Sequence, residues 1–114
     1  MHEVGVISAI LKKVEKVMDD EDLSTCDTVV LEVGELSGVV PHFMEECWPA
    51  ATYHTRFEET ELEMRVIKGQ VKCETCGEEF NAYECDLKCP KCGEDRKHTP
   101  LTGRELVIKE IRGN

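Results

Sequence analysis

Two Cys-x-x-Cys turns, Cys73-Glu-Thr-Cys76 and Cys89-Pro-Lys-Cys92, stand about 12 residues apart in a chain of 114. Each turn brings two thiolates to one side of a tight loop, and two such turns close a tetrahedron around Zn2+ with Zn–S bonds of about 2.3 Å. Four cysteines leave no coordination position open, which marks a structural site rather than a catalytic one. A segment this short, below roughly 40 residues, buries too little apolar surface to fold without such a staple. Gly77 and Gly93 follow the second cysteine of each turn, where a positive φ lets backbone N–H groups face the sulfurs; Pro90 stiffens the second turn. Iron is the rival metal, since rubredoxin-type carriers use similar turns. They are about half this length and pack more aromatics around the iron than Phe80 and Tyr83 supply.

Composition restricts what else the chain does. Seven cysteines, an odd number with four in paired turns, read as metal ligands and free thiols of a reducing compartment rather than as a disulfide framework. A formal charge of −10 leaves no basic stripe for nucleic acid, so proteins and cations are the expected partners. No apolar run approaches the roughly 18 residues of a membrane span, and the start lacks the basic-then-apolar layout of a signal peptide. No membrane association and a cytoplasmic location are expected.

The elements follow from periodicity. Val4, Ile7, Ile10, Leu11, Val14, Val17 and Met18 recur at helical spacing and predict an amphipathic helix from about residue 4 to 20, with Glu3 favourably placed for its dipole and His2 just ahead of it. Alternation predicts a strand over Thr28–Val33, a second at Leu62, Met64 and Val66, and a third over about 104–112. Gly34 and Gly38 punctuate a loop. Pro41 suits the first position of a second helix, with Met44, Cys47, Trp48 and Ala51 on one stripe; Pro49 is expected to kink or shorten it near Trp48. Residues 70–103 then read as an insertion between two strands. The expected fold is α+β: residues 1–69 plus 104–114 form two helices on a three-stranded sheet, and residues 70–103 form an inserted four-cysteine zinc ribbon hanging from a hairpin-like connection.

The closed zinc site leaves the function to be carried elsewhere. His2 is too bulky for usual removal of Met1, so the mature chain is expected to keep the Met1 α-amine. That amine, the amide nitrogen of residue 2 and the His2 imidazole present three nitrogens in one plane, a set that favours Ni2+ or Cu2+ over Zn2+. Taken with the opening Met1-His2-Glu3, the helix, the Val30-to-Leu36 strand segment and the two cysteine turns, the chain resembles, over essentially its whole length, the HypA/HybF family of hydrogenase maturation nickel chaperones. The resemblance implies a cytoplasmic protein that holds Ni2+ at its N-terminus. With a partner GTPase it delivers the ion to the large-subunit precursor of a nickel-iron hydrogenase, and in some bacteria the family also serves urease. It further implies Met1, His2 and backbone nitrogens of residues 2 and 3 as the nickel site, with Glu3 matching the family opening, and Cys73, Cys76, Cys89 and Cys92 as zinc ligands. Pro49 and Cys85 match nothing in the family pattern.

Other residues read more plainly. His98 has the chemistry to reach nickel if the ribbon folds back, against the simpler reading of a solvated loop histidine. His42 and His54 read as surface residues, Cys26 and Cys47 as small core or loop residues and Cys85 as a spare thiol. The run Glu58, Glu59, Glu61, Glu63 reads as a solvated strand edge, or as a docking surface for a basic partner. No nucleophile–base pair or phosphate-binding glycine loop suggests an enzyme. The competing function is a zinc-ribbon adaptor that binds proteins without transferring nickel.

Overall fold

The computed structural model describes the backbone from His2 to Asn114 and the side chains from Val4 onward. Its elements run α1 (His2–Asp20), β1 (Cys26–Gly34), α2 (Pro41–Thr52), β2 (Glu61–Ile67), β3 (Gln70–Cys73), β4 (Glu79–Asn81), β5 (His98–Pro100) and β6 (Leu106–Gly113). The fold is α+β, with two helices on one three-stranded sheet and a second small sheet around the four cysteines.

Helix α1 starts at His2 rather than near residue 4, so His2 is its first residue and does not precede it. Helix ends are the least determined part of a periodic pattern, because the apolar stripe fixes the middle and leaves the last turn free. Ile7, Ile10, Leu11, Val14 and Met18 are buried as their spacing requires, whereas Val4 and Val17 lie on the margin of the stripe and stay exposed. Each full burial contributes about 1.5–3 kcal/mol, and packing of this kind, rather than intrinsic propensity, holds such a helix.

β1 is the central strand, paired in parallel with β2 and antiparallel with β6. Val29, Leu31 and Val33 point at the helices and are buried together with Met44, Trp48 and Phe57 in the main core. Val30, flanked in register by Glu63 and Glu110, is fully buried on the opposite face. The ribbon does not hang from a hairpin as expected: α2 carries the chain from β1 to a parallel neighbour, so β2 takes one edge and leaves only the other for β6. The small unit is therefore inserted between two edge strands that do not pair with each other.

Pro49 does not shorten α2, which runs on to Thr52. Its lost N–H falls in the last turn, where side-chain bonds brace the helix end: Thr52 Oγ1 donates to the Trp48 carbonyl one turn back at 2.8 Å, and the Trp48 indole N–H donates beyond the helix to the Thr60 carbonyl at 2.9 Å. At the other end Pro41 occupies the first turn as expected.

The small unit has a sheet of its own, with β3 antiparallel to both β4 and β5. Its core is Val71, Phe80 and Ala82 with the buried Cys73 and Cys89, and Leu36, from the loop after β1, packs against it. The two units lie along a molecule of 54 × 27 × 16 Å.

Candidate metal centre

The two cysteine turns are built alike. In the first, the Cys73 N–H donates to the Glu78 carbonyl at 2.8 Å and the Gly77 N–H to the Cys73 carbonyl at 3.0 Å; in the second, Cys89 donates to Glu94 at 2.9 Å and Gly93 to Cys89 at 2.9 Å. Closing each turn needs the left-handed backbone that Gly77 (φ +80°) and Gly93 (φ +79°) adopt without cost. β3 delivers Cys73 from the sheet.

The turns face one another so that the sulfurs of Cys73, Cys76, Cys89 and Cys92 all lie within 4.8 Å of each other. Cys73 Sγ is 3.6 Å from Cys92 Sγ, and Cys76 Sγ is 3.5 Å from Cys89 Sγ. Tetrahedral bonds of about 2.3 Å put neighbouring sulfurs about 3.8 Å apart, so small adjustments admit a thiolate-bound metal. Cys73 and Cys89 are buried, and Cys76 and Cys92 lie toward solvent. Cys85 is not in the cluster; half-buried, it packs against the ribbon core.

Crowding splits the four thiols. The N–H of Cys76 is the main influence holding Cys73 below the ordinary thiol value. At Cys89 burial works upward, but the N–H groups of Cys92 and Lys91 and the thiols of Cys76 and Cys92 outweigh it and bring the group to about 7. At Cys92 the Glu94 N–H works downward, while burial and the three neighbouring thiols push it up to about 12. Four protons therefore do not leave this cluster unaided at neutral pH. A dication bound there would supply what is missing, since a coordinating thiol is deprotonated outright.

His98 is not a loop residue. It sits in β5 opposite Cys73, its ring edge-on to Phe80 at 6.0 Å, and both ring nitrogens are buried with no hydrogen-bond partner among the described residues. Three residues of β5 carry no periodicity long enough to have revealed the strand. His42 and His54 are exposed as expected, His42 paired with Glu46 at 2.9 Å and His54 stacked on Tyr53. Glu58, Glu59, Glu61 and Glu63 are exposed, and Cys26 and Cys47 are buried. The nickel ligands expected at the N-terminus lie outside the described residues: Met1 entirely, His2 and Glu3 in their side chains. No described helix is long and apolar enough to cross a membrane.

Residues 1–113 match the family profile described as hydrogenase/urease nickel incorporation, metallochaperone, hypA. Hydrogenase maturation factor HypA of Aquifex aeolicus is 30% identical over 97% of this chain and 96% of its own length. The factor of the same name from Geobacter metallireducens is 33% identical over 97% of both chains. Among solved structures, the solution structure of the Ni metallochaperone HypA from Helicobacter pylori superposes with a TM-score of 0.68 at 18% identity, covering 97% of this chain and 96% of that one. At that identity the likeness establishes the fold.

Proposed function

This chain belongs to the HypA family of hydrogenase/urease nickel-incorporation metallochaperones, and from that premise we propose that it carries Ni2+ on the Met1 amine, the His2 imidazole and backbone nitrogens of residues 2 and 3, and delivers it with a partner GTPase to the large-subunit precursor of a nickel-iron hydrogenase, with urease as a second recipient. Glu3 is the adjoining acidic group. In the same reading Cys73, Cys76, Cys89 and Cys92 hold a structural Zn2+, and the chain divides into a nickel-binding part, residues 1–69 plus 104–114, and the ribbon, residues 70–103.

The observation that carries the proposal is the match to residues 1–113 together with a thiol cluster that offers no exchangeable position. A cargo ion has to be released, and four sulfurs around one metal hold it too completely. The start of α1 is suited to lighter retention. First-turn N–H groups of a helix have no intrahelical acceptor, so amides at residues 2 and 3 are free to release their protons to solvent and bind a metal through nitrogen. The positive end of the helix dipole opposes a bound cation and keeps the hold weak, and a carboxylate at residue 3 offsets part of that.

The test is a calorimetric Ni2+ titration of three zinc-loaded proteins: native terminus, a two-residue extension ahead of Met1, and His2→Ala. The native protein binds nickel with the absorption of a planar nitrogen-bound ion, the other two lose most of the affinity, and zinc content stays the same in all three. Affinity also falls as pH drops through the imidazole range near pH 6.5, because protons compete for the same nitrogens. Undiminished affinity in the extended protein removes the amine from the site. If His2→Ala is undiminished as well, the chain is a zinc-ribbon adaptor.

A further inference from the structure

Both covalent connections between the small unit and the main sheet pass through one point, at Lys68–Gly69 on the way out and Gly103 on the way back, and the loop after β1 is pressed into it. Gly34 N–H donates to the Glu105 carbonyl at 3.0 Å, Glu35 N–H to Ile67 at 2.9 Å, and Leu36 N–H to Gly103 at 2.7 Å. The backbones approach so closely that a Cβ on Gly34 would lie 2.1 Å from the Gly103 carbonyl oxygen, and one on Gly69 would lie 2.7 Å from Leu36 Cγ.

Across this point Glu35 makes the less exposed polar link, beside the solvent-exposed Lys68–Glu84 pair at 3.3 Å. Its Oε1 accepts from the Gly69 N–H at 2.7 Å and from the Asn81 side-chain amide at 3.3 Å. Asn81 is itself buried and fixed, its Oδ1 accepting from the N–H groups of Tyr83 at 3.0 Å and Glu84 at 2.9 Å. The Gly69 N–H and the Asn81 amide hold the Glu35 carboxyl below its ordinary range, so it is ionised at neutral pH. Leu36, the next residue, packs on the ribbon core. Two strands alone would leave a hinge; Glu35 and Leu36 add a third attachment that no chain connection requires.

The joint lies at a particular end of the molecule. Val33 pairs with Leu106 at the ribbon-proximal end of β1, and Val6, Ala9 and Ile10 line a cleft with Leu106 and Ile108. The first turn of α1, beginning at His2, therefore points to the end from which the ribbon hangs.

We propose that Glu35 is a positioning residue whose carboxylate, bridging Gly69 and Asn81, fixes the angle of the four-cysteine unit relative to the end of the sheet where α1 begins. What the angle is for rests on the N-terminal nickel reading: it sets which face of the ribbon stands beside the ion and its recipient. The carboxylate works as an acceptor, so an amide oxygen at the same place replaces much of it, whereas a methyl group replaces none.

The experiment measures backbone residual dipolar couplings in full-length, zinc-loaded wild type, Glu35→Ala and Glu35→Gln without nickel. Couplings from β1, β2 and β6 and those from β3, β4 and β5 fit one alignment tensor in the wild type and in Glu35→Gln. In Glu35→Ala they require two, while zinc content and the shifts of Val29, Leu31 and Phe80 stay in place. Two tensors already in the wild type, or one unchanged tensor in Glu35→Ala, overturn the proposal, and Glu35→Ser, whose hydroxyl is too short to reach Gly69 and Asn81, is read in the same way if the alanine variant does not fold. Because nickel is absent throughout, failure of the nickel reading would leave this result standing.

Discussion

Trp48 and Thr60 tie the end of α2 to the start of β2: the indole N–H donates to the Thr60 carbonyl at 2.9 Å, and the Thr60 hydroxyl donates onward to the Cys26 carbonyl at 2.7 Å. All three residues are buried. The relay crosses from the helix layer to the central strand just where Pro49 has removed a helical bond. Trp48→Phe keeps most of the apolar volume but leaves the Thr60 carbonyl without its donor, a loss of about 1–3 kcal/mol. Urea unfolding measures it, with zinc content unchanged because the small unit takes no part. A midpoint equal to the wild type would mean that water reaches the carbonyl.

Gly5 and Gly34 should respond oppositely to alanine. Gly5 lies inside α1 with nothing within 4 Å of an added Cβ, so Gly5→Ala gains about 0.5–1 kcal/mol from helix propensity. At Gly34 the added Cβ meets the backbone of Gly103, which has no side chain to swing away, and overpacking costs about 1–3 kcal/mol. Thermal unfolding of the two variants reads both signs in one experiment.

Arg112 reaches across the uncovered face of the sheet, bonding Glu110 at 3.2 Å and approaching Glu63 on the far edge strand to 3.7 Å. All three side chains are about half exposed. Such pairs contribute at most about 1 kcal/mol and are screened by salt. Arg112→Ala should therefore lower stability by less than that, with the difference shrinking in high salt. A larger loss would show that Val30, which lies between Glu63 and Glu110, depends on the arginine for cover.

What the sequence disclosed and what it hid divide by range. The cysteine turns were legible because metal coordination fixes spacing within a few residues, and Gly77 and Gly93 take the positive φ expected of them. α1, β1, β2 and β6 were legible because each is long enough for its apolar period to repeat. The ribbon strands β3 to β5 run three or four residues, too short for any period, so His98 read as a loop residue although it lies opposite Cys73. Pro49 misled because its missing N–H falls in the last turn, whose end is braced by Thr52 on the Trp48 carbonyl and by the Trp48 indole on Thr60, twelve positions on. The pairing of β6 with β1 rather than β2 was hidden too, since alternation identifies a strand without naming its neighbour. Glu35 gave no signal of its own: its partners Gly69 and Asn81 lie 34 and 46 residues away.

Removing the metal should melt one unit and spare the other. The ribbon core contains few apolar side chains beyond Val71, Phe80, Ala82 and the part-buried Leu36 and Leu87, whereas zinc binding supplies folding free energy on the order of 10 kcal/mol in small modules. Cys89→Ser removes one of the two buried members of the cluster, a thiol brought to about 7. Zinc, at about one ion per chain in the wild type, should be lost or greatly weakened. Amide resonances of β3, β4 and β5 should then collapse, while those of α1, β1, β2 and β6 persist because their core lies elsewhere. Acid should act in the same direction, since protons compete with zinc for the sulfurs and retention falls as pH is lowered. Residues 35, 36, 69 and 103 should also shift, because the joint loses the surface that Leu36 and Glu35 hold. Full zinc retention with an unchanged ribbon spectrum in Cys89→Ser would show that the four sulfurs do not share one metal.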